Sequence, residues 1–316
     1  MSRRTPHLPV WLALVVAAGC GALMALQARI NGELGERMHD GFAAAVVSFG
    51  VGLVILAVCL AASRRGRRGF AGVARALREG RLSWWMLGGG AAGAYLVLTQ
   101  GLVAASLGVA LFTVAIVAGQ TVSGLVIDRI GLGPSGRHPL TLTRVLGAAV
   151  ALAAVVWSVS GQFAAGTAWW TVALPLLAGL GMGWQQAVNG RVRLAADSAL
   201  TATFVNFAVG TAALVVATIV HAAIVGPPAP PPAEPWLYLG GAIGCVFIAL
   251  TAVLVRSTGV LLLGLATIAG QLLGALVLDL AAPLPGEGLE PATIAGTILA
   301  LAAVAIGSWA PRRARA

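Results

Sequence analysis

Charge is what this 316-residue chain has least of: 9% of its residues are charged, against 59% hydrophobic, and the mean hydropathy is +0.93. A soluble domain carries about 25% charged residues, so a soluble fold is excluded. Lysine is absent altogether; all twenty basic residues are arginine, set against ten acidic ones. In a soluble chain a net charge of +10 would point to nucleic acid. Here the arginines sit in the connections between apolar runs, which points to orientation in a bilayer instead, and no nucleic-acid partner is expected. The three cysteines, Cys20, Cys59 and Cys245, lie far apart within apolar runs and without metal-type spacing, which argues against a disulfide framework or a zinc site. No H-E-x-x-H, G-x-S-x-G, Walker A or clustered His/Asp/Glu occurs. The chain is therefore expected to be no enzyme, with no catalytic residue, metal or cofactor, and any uphill work would draw on an ion gradient.

What is present is apolar length. Two charge-free stretches, 82–127 and 145–190, each have room for two passes at about 20 residues per pass. The pattern predicts an all-α membrane protein with ten transmembrane helices, near 9–29, 42–62, 84–104, 107–127, 144–161, 169–188, 199–222, 236–255, 259–279 and 291–309. Arg3-Arg4 ahead of the run to Ala17-Ala18-Gly19-Cys20 has the outline of an export signal, but the run continues to Ala28 and suits a first span better. With both termini cytoplasmic, eighteen of the twenty arginines fall on the cytoplasmic side, leaving Arg29 and Arg37 at the opposite edge. The connection 63–83 sets Phe70, Val73 and Leu77 on one helical face among arginines, suiting either a helix on anionic headgroups or a solvated basic loop. The segment 226–235, with six prolines in ten residues, predicts a stiff, non-helical spacer.

The chain also repeats itself. Gln27, Asn31-Gly32, Phe49 and Gly52 return 158 residues later as Gln185, Asn189-Gly190, Phe207 and Gly210, with Asn206 in the place of Ser48. Trp84, Leu87 and Gly88-Gly89 return as Trp236, Leu239 and Gly240-Gly241, and Gly119-Gln120, Asp128 and Pro134 as Gly270-Gln271, Asp279 and Pro285. This divides the chain into units 1–162 and 163–316. Five spans per unit is an odd number, so the second copy enters the membrane from the opposite side and the repeats are inverted, a common construction of secondary transporters.

Lipid cannot hydrogen-bond an amide, so amides within spans are expected to face protein or a wet cavity. Gln27 and Asn31 share a helix face, as do Gln185 and Asn189; Gln120 and Gln271 lie deeper in their spans, near Thr113 and Thr267. These six amides are the candidate substrate-binding residues, the alternative for each being an interhelical hydrogen bond. Gln100, Gln186 and Asn206 add further polar atoms. Asp128 and Asp279, at the C-terminal ends of their spans, and Arg29, whose counterpart is Ala187, are candidates for coupling or gating. For Arg29 the simpler alternative is pairing with Glu33 one turn away. Pro175, with Gly179, Gly181 and Gly183, marks the sixth span as the one to bend. The pairs Gly89/Gly93 and Gly240/Gly244 read as close helix contacts.

The ordered set of Leu26-Gln27-Ala28-Arg29-Ile30-Asn31-Gly32, Ser48-Phe49-Gly50-Val51-Gly52, Trp85 with Gly88-Gly89, and Gly119-Gln120 before Asp128 resembles the YdcZ family of inner-membrane exporters, in the drug/metabolite transporter superfamily. Gln185 to Gly190, Asn206-Phe207, Gly270-Gln271 and Asp279 resemble the same unit again. The resemblance implies a ten-helix, two-lobed fold around a central cavity, with the fifth spans in a packing role, and a fusion of two units that suffices as a monomer. Related small multidrug exporters use a glutamate in the first span; here neither span one nor span six has one, which argues against proton-coupled export of cationic drugs. The expected function is export of a small polar or amphipathic metabolite across the inner membrane by alternating access. The alternatives are a non-transporting scaffold or assembly protein, and a flippase for a lipid-linked substrate.

Overall fold

The computed structural model describes residues 9–133, 136–137, 141–164, 168–282 and 291–308. Arg3, Arg4, Pro134, Pro285, Glu287, Glu290 and the arginines after residue 308 lie outside them, so the export-signal question and the placing of both termini do too. Among the described residues every regular element is helical. The helices are α1 Val10–Met38, α2 Gly41–Ala62, α3 Arg64–Arg78, α4 Gly89–Thr99, α5 Ala105–Leu107, α6 Val109–Ile130, α7 Leu142–Ala164, α8 Trp169–Ala196, α9 Ala199–Val225, α10 Leu239–Ala281 and α11 Pro291–Ser308. Among the described residues six stretches, against the ten spans expected, are long and apolar enough to cross a membrane: Trp11–Met38, Gly41–Ala62, Trp84–Leu107, Val109–Ile130, Ala199–Val225 and Gly264–Ala281. Shorter apolar stretches lie at Val145–Trp157, Pro235–Ile248 and Ile294–Ile306. Valines and isoleucines on the outer faces of α2 and α9 (Val54, Val58, Val216, Ile219) are exposed, as a lipid-facing surface requires.

The two copies of the repeat turn corners in the same way. α1 ends on His39 in the left-handed region (φ 50°) and Asp40 caps α2, accepting from the N–H groups of Phe42 (2.8 Å) and Ala43 (3.1 Å). At the matching place α8 ends on Asp197 (φ 47°) and Ser198 caps α9 through the Thr201 N–H. The carboxylate and the hydroxyl each satisfy N–H groups that a helix start leaves open.

α10 cannot be one straight rod. Gly240 near its start faces Asn31, while Asp279 near its end pairs with Arg29, two residues away on α1. At 1.5 Å per residue a straight helix would hold Gly240 and Asp279 about 58 Å apart. The chain therefore reverses between Leu254, packed on Ala13 and Ala17, and Gly270, packed on Ala18. The first limb runs antiparallel to α1 and the second parallel to it. The first half of the chain makes the same hairpin openly. α4 runs antiparallel to α8, with Gly89 on Asn189 and Gly93 on Gln185, and α6 runs parallel to it, with Gly119 on Gly179. The break comes at Gly108, whose φ of 74° and ψ of 150° belong to a region that is almost exclusive to glycine.

Each hairpin thus packs on the other half's long helix, and one core joins them: Met24, Leu96, Phe112, Ile116, Met182 and Leu272 pack together. At the centre α2 and α9 meet through stacked Phe49 and Phe207, ring centroids 4.8 Å apart.

The basic connection is a helix, and protein covers part of its apolar stripe, Val73 being buried and Phe70 38% exposed. Val73 and Ala76 of α3 pack with Val188, Val192 and Ala196, Phe70 meets Phe204 edge-on, and the Thr201 hydroxyl donates to the Gly66 carbonyl at 2.6 Å. Arg65 reaches both carboxylate oxygens of Asp197 at 3.1 Å. A side chain at Gly69 would press on Thr201, so Gly69→Leu should lift α3 and speed tryptic cleavage among its exposed arginines at least tenfold, whereas Arg65→Ala, losing one exposed pair, should change it little. The proline-rich segment is non-helical and tied at both ends, by the Ala229 N–H to the Met38 carbonyl (3.1 Å) and by Glu234 to Arg37. The Glu234 carboxyl is held below the usual carboxylate range, first by its own backbone N–H and then by the Arg37 guanidinium.

Candidate functional site

Gln27 and Asn31 stand on the face of α1 that receives the first limb of α10, and Gln185 and Asn189 on the face of α8 that receives α4. In each place glycines let the backbones meet, because a methyl group at Gly240 would overlap Asn31 and one at Gly93 would overlap Gln185. Gln27, Asn31 and Gln185 are buried and Asn189 is half-buried. The structure brings each pair together with a residue of the next helix, Ser48 or Asn206, at equivalent positions.

The two clusters differ in how their polar atoms are used. In the second half the Gln185 amide donates to Asn206 Oδ1 (3.2 Å), and Asn206 Nδ2 donates to Asn189 Oδ1 (3.1 Å), a closed chain of amides. In the first half Asn31 Nδ2 donates to Gln100 Oε1 at 2.6 Å, while Gln27 Oε1, Asn31 Oδ1 and Ser48 Oγ are buried without partners. Gln100 sits in a π-helical turn, Gln100–Ala104, between α4 and α5. Such turns recur at functional sites because the wider coil frees backbone and turns side chains inward. Sequence reading noticed Gln100 and Asn206 only as additional polar atoms; the unequal Ser48/Asn206 pair was the available signal, and the π turn left none.

Gln120 and Gln271 stand on α6 and on the second limb of α10. Their backbones lie at the crossings of α6 with Gly179 and of α10 with Gly21. Gly179 precedes Gln185, and Gly21 precedes Gln27, by six residues, about 9 Å along the helix. Gln271 is buried and Gln120 half-buried, and the buried Thr113 hydroxyl has no partner. Pro175 is buried within a helix that continues through it, one residue before Leu176, against whose carbonyl Gly119 packs.

Asp279 caps the start of a helix in the other half of the chain. Its carboxylate accepts from the N–H groups of Val109 (3.2 Å) and Ala110 (2.7 Å), the first residues of α6 after Gly108. That resolves the apparent misplacement of a carboxylate at its own helix's C-terminus, since the dipole it answers is that of α6. Arg29 lies 3.6 Å from Asp279 Oδ1 and donates to the Ala282 carbonyl at 2.6 Å. The expected pairing of Arg29 with Glu33 gives way to Arg37, which takes Glu33 at 2.8 Å. Asp128 is half-buried at the end of α6.

Among the described residues the chain is all-helical and strongly apolar, with buried amides between interlaced hairpins, which marks a membrane protein. The family model described as "Putative inner membrane exporter, YdcZ" matches it twice, over residues 11–157 and 170–306, and the chain belongs to this family. A solved structure titled "Crystal structure of protein" shares the fold at 19% identity and a TM-score of 0.51, the alignment covering 94% of this chain and 95% of that one. No curated protein matches the chain.

Proposed function

We propose that the protein is an inner-membrane secondary transporter that exports a small polar or amphipathic metabolite by alternating access. It has ten spans, in two inverted five-helix units within 1–162 and 163–316, with both termini in the cytoplasm. The observation that carries the reading is the pairing of contacts between the halves. At Gly89 and Gly93 the contacts shift the glycine match by one residue from the sequence repeat: Gly89 on Asn189 has its counterpart in Gly240 on Asn31, Gly93 on Gln185 in Gly244 beside Gln27, and Gly119 on the Leu176 carbonyl in Gly270 on the Ala18 carbonyl. When two similar halves exchange the same set of contacts, trading their slightly different conformations opens the molecule first on one side and then on the other. The substrate is met by amides at the crossings, with Gln27 and Asn31 foremost and Gln120, Gln185, Asn189 and Gln271 about them. Asp279 and Arg29 latch α10 and α1 to α6 at the outer end, Asp128 stands at the inner end, and Pro175 lets α8 bend. A monomer in the lipid bilayer suffices.

The closed amide chain Gln185–Asn206–Asn189 supports a packing role for that cluster, as in a scaffold that never transports. The test is flux. Purified protein in liposomes loaded with a metabolite extract should release selected compounds at least tenfold faster than protein-free liposomes, and Gln27→Ala should remove most of that release while keeping the melting temperature within a few degrees. Release no faster than from protein-free liposomes, for every compound, would leave the scaffold reading standing.

A further inference from the structure

The two amide clusters descend from one repeat, yet one is closed on itself and the other is open. In the second half the Asn206 carboxamide is long enough to bridge Gln185 and Asn189. In the first half the shorter Ser48 cannot bridge, and three oxygens are left buried without a hydrogen-bond partner: Gln27 Oε1, Asn31 Oδ1 and Ser48 Oγ. Their side chains belong to residues only 5%, 1% and 2% exposed. All three converge on one strip of α10. Asn31 Oδ1 and Ser48 Oγ both adjoin the point where a Gly240 Cβ would stand, Ser48 Oγ at 3.0 Å, and the Gln27 amide lies against the corresponding point on Gly244, one turn along, with Oε1 and Nε2 each 3.5 Å away.

Buried acceptors without donors are costly, and a native structure keeps them chiefly where something else supplies the donors. Two of the three, Gln27 Oε1 and Asn31 Oδ1, can only accept, and the Ser48 hydroxyl can accept while its own hydrogen turns aside. A primary ammonium group has three N–H donors and no acceptor. Arg29 lies between Gln27 and Asn31 in sequence but 200° round the helix from Gln27, and is held by Asp279 and Ala282, so no cation competes from that face. The Phe207 ring, its Cζ 3.6 Å from the Gly244 position, offers an apolar wall for the carbon chain of such a ligand. No carboxylate joins these three oxygens, and uncharged oxygens hold a cation loosely enough to let it go, which a transport site requires.

We infer that Gln27, Asn31 and Ser48 form a binding site for the primary ammonium group of a small amine, and that the second half holds the same cluster closed as structure. The inference rests on the transport reading only in making that amine the cargo; binding itself is measured without flux.

The experiment uses the full chain in lipid nanodiscs and n-butylammonium as the probe, followed by melting temperature and by titration calorimetry. n-Butylammonium should raise the melting temperature, while n-butanol, tetramethylammonium and sodium at equal concentration should not. Ser48→Asn, which gives the first half the bridging residue of the second, should keep the unliganded melting temperature within a few degrees and weaken n-butylammonium binding at least tenfold. Ser48→Ala, which removes one acceptor without filling the space, should weaken it several-fold. An equal shift with tetramethylammonium, butanol or sodium, no shift with n-butylammonium, or full binding by the Ser48→Asn variant would each overturn the inference. Flux of non-amine metabolites with no amine binding would sink this inference and leave transport standing; amine binding with no flux of any compound would do the reverse.

Discussion

Asp279→Ala should lower the unfolding free energy by about 3 kcal/mol, part of it through a helix that Asp279 does not belong to. The carboxylate caps α6 at Val109 and Ala110, and losing such a cap costs about 1 kcal/mol, up to about 2. The substitution also strands Arg29, whose Nη1 has no hydrogen bond and whose nearest anion is Asp279. Breaking a fully buried pair costs about 3–5 kcal/mol, and side-chain exposures of 19% and 11% place this one at the lower end or beneath it. Denaturant titration in detergent should show the loss. Arg29→Leu combined with Asp279→Ala should be less destabilised than the two single losses added together, because the stranded charge is gone. Strict additivity would mean that Arg29 and Asp279 do not interact. If the pair is the outer latch, Asp279→Ala should also change the rate of release from loaded liposomes.

The second large effect is expected at two glycines that have no polar atoms of their own to lose. A methyl group at Gly90 would overlap the Asn206 carbonyl oxygen and stand 2.8 Å from the Gly210 nitrogen; at Gly241 it would overlap the Ser48 carbonyl oxygen and stand 2.7 Å from the Gly52 nitrogen. Both obstacles are backbone, so the helices must part. Gly90→Ala and Gly241→Ala should each cost about 2–3 kcal/mol, since overfilling a packed contact costs about 1–3 kcal/mol and a backbone obstacle yields least. The two losses should agree to within about 1 kcal/mol if the halves exchange equivalent contacts. Gly19 and Gly50 have open space where a Cβ would go, and alanine at either should stabilise by about 0.5–1 kcal/mol through helix propensity alone. Thermal melts of the four variants provide the comparison.

Much of this was legible in the sequence because it is written in spacing. The repeat offset paired Gln27 and Asn31 with Gln185 and Asn189 before any packing was known, and Gly89, Gly93, Gly240 and Gly244 read as close contacts that the structure contains. Partnerships were harder, because spacing states who could meet within a helix and is silent on who meets across helices. Glu33 stands four residues from both Arg29 and Arg37, and local geometry allows either pair; the structure gives Glu33 to Arg37 because Asp279 draws Arg29 across to α10. Asp279 itself looked out of place at the end of its own helix, since its target is 170 residues away in sequence. Gln100 depended on a π turn, a small change of coil that no residue pattern announces.

The central claim, that the buried clusters are opened to one side of the membrane and then to the other, is tested most directly at Ser48, which is 2% exposed in this conformation. In a background with Cys20, Cys59 and Cys245 replaced by alanine, Ser48→Cys keeps nearly the same size and supplies one thiol. Its labelling by a membrane-impermeant maleimide is then followed in vesicles with the reagent added outside only or trapped inside only. Alternating access predicts labelling from both sides. A thiol reached from neither side, or from one side alone under every condition, would contradict the account.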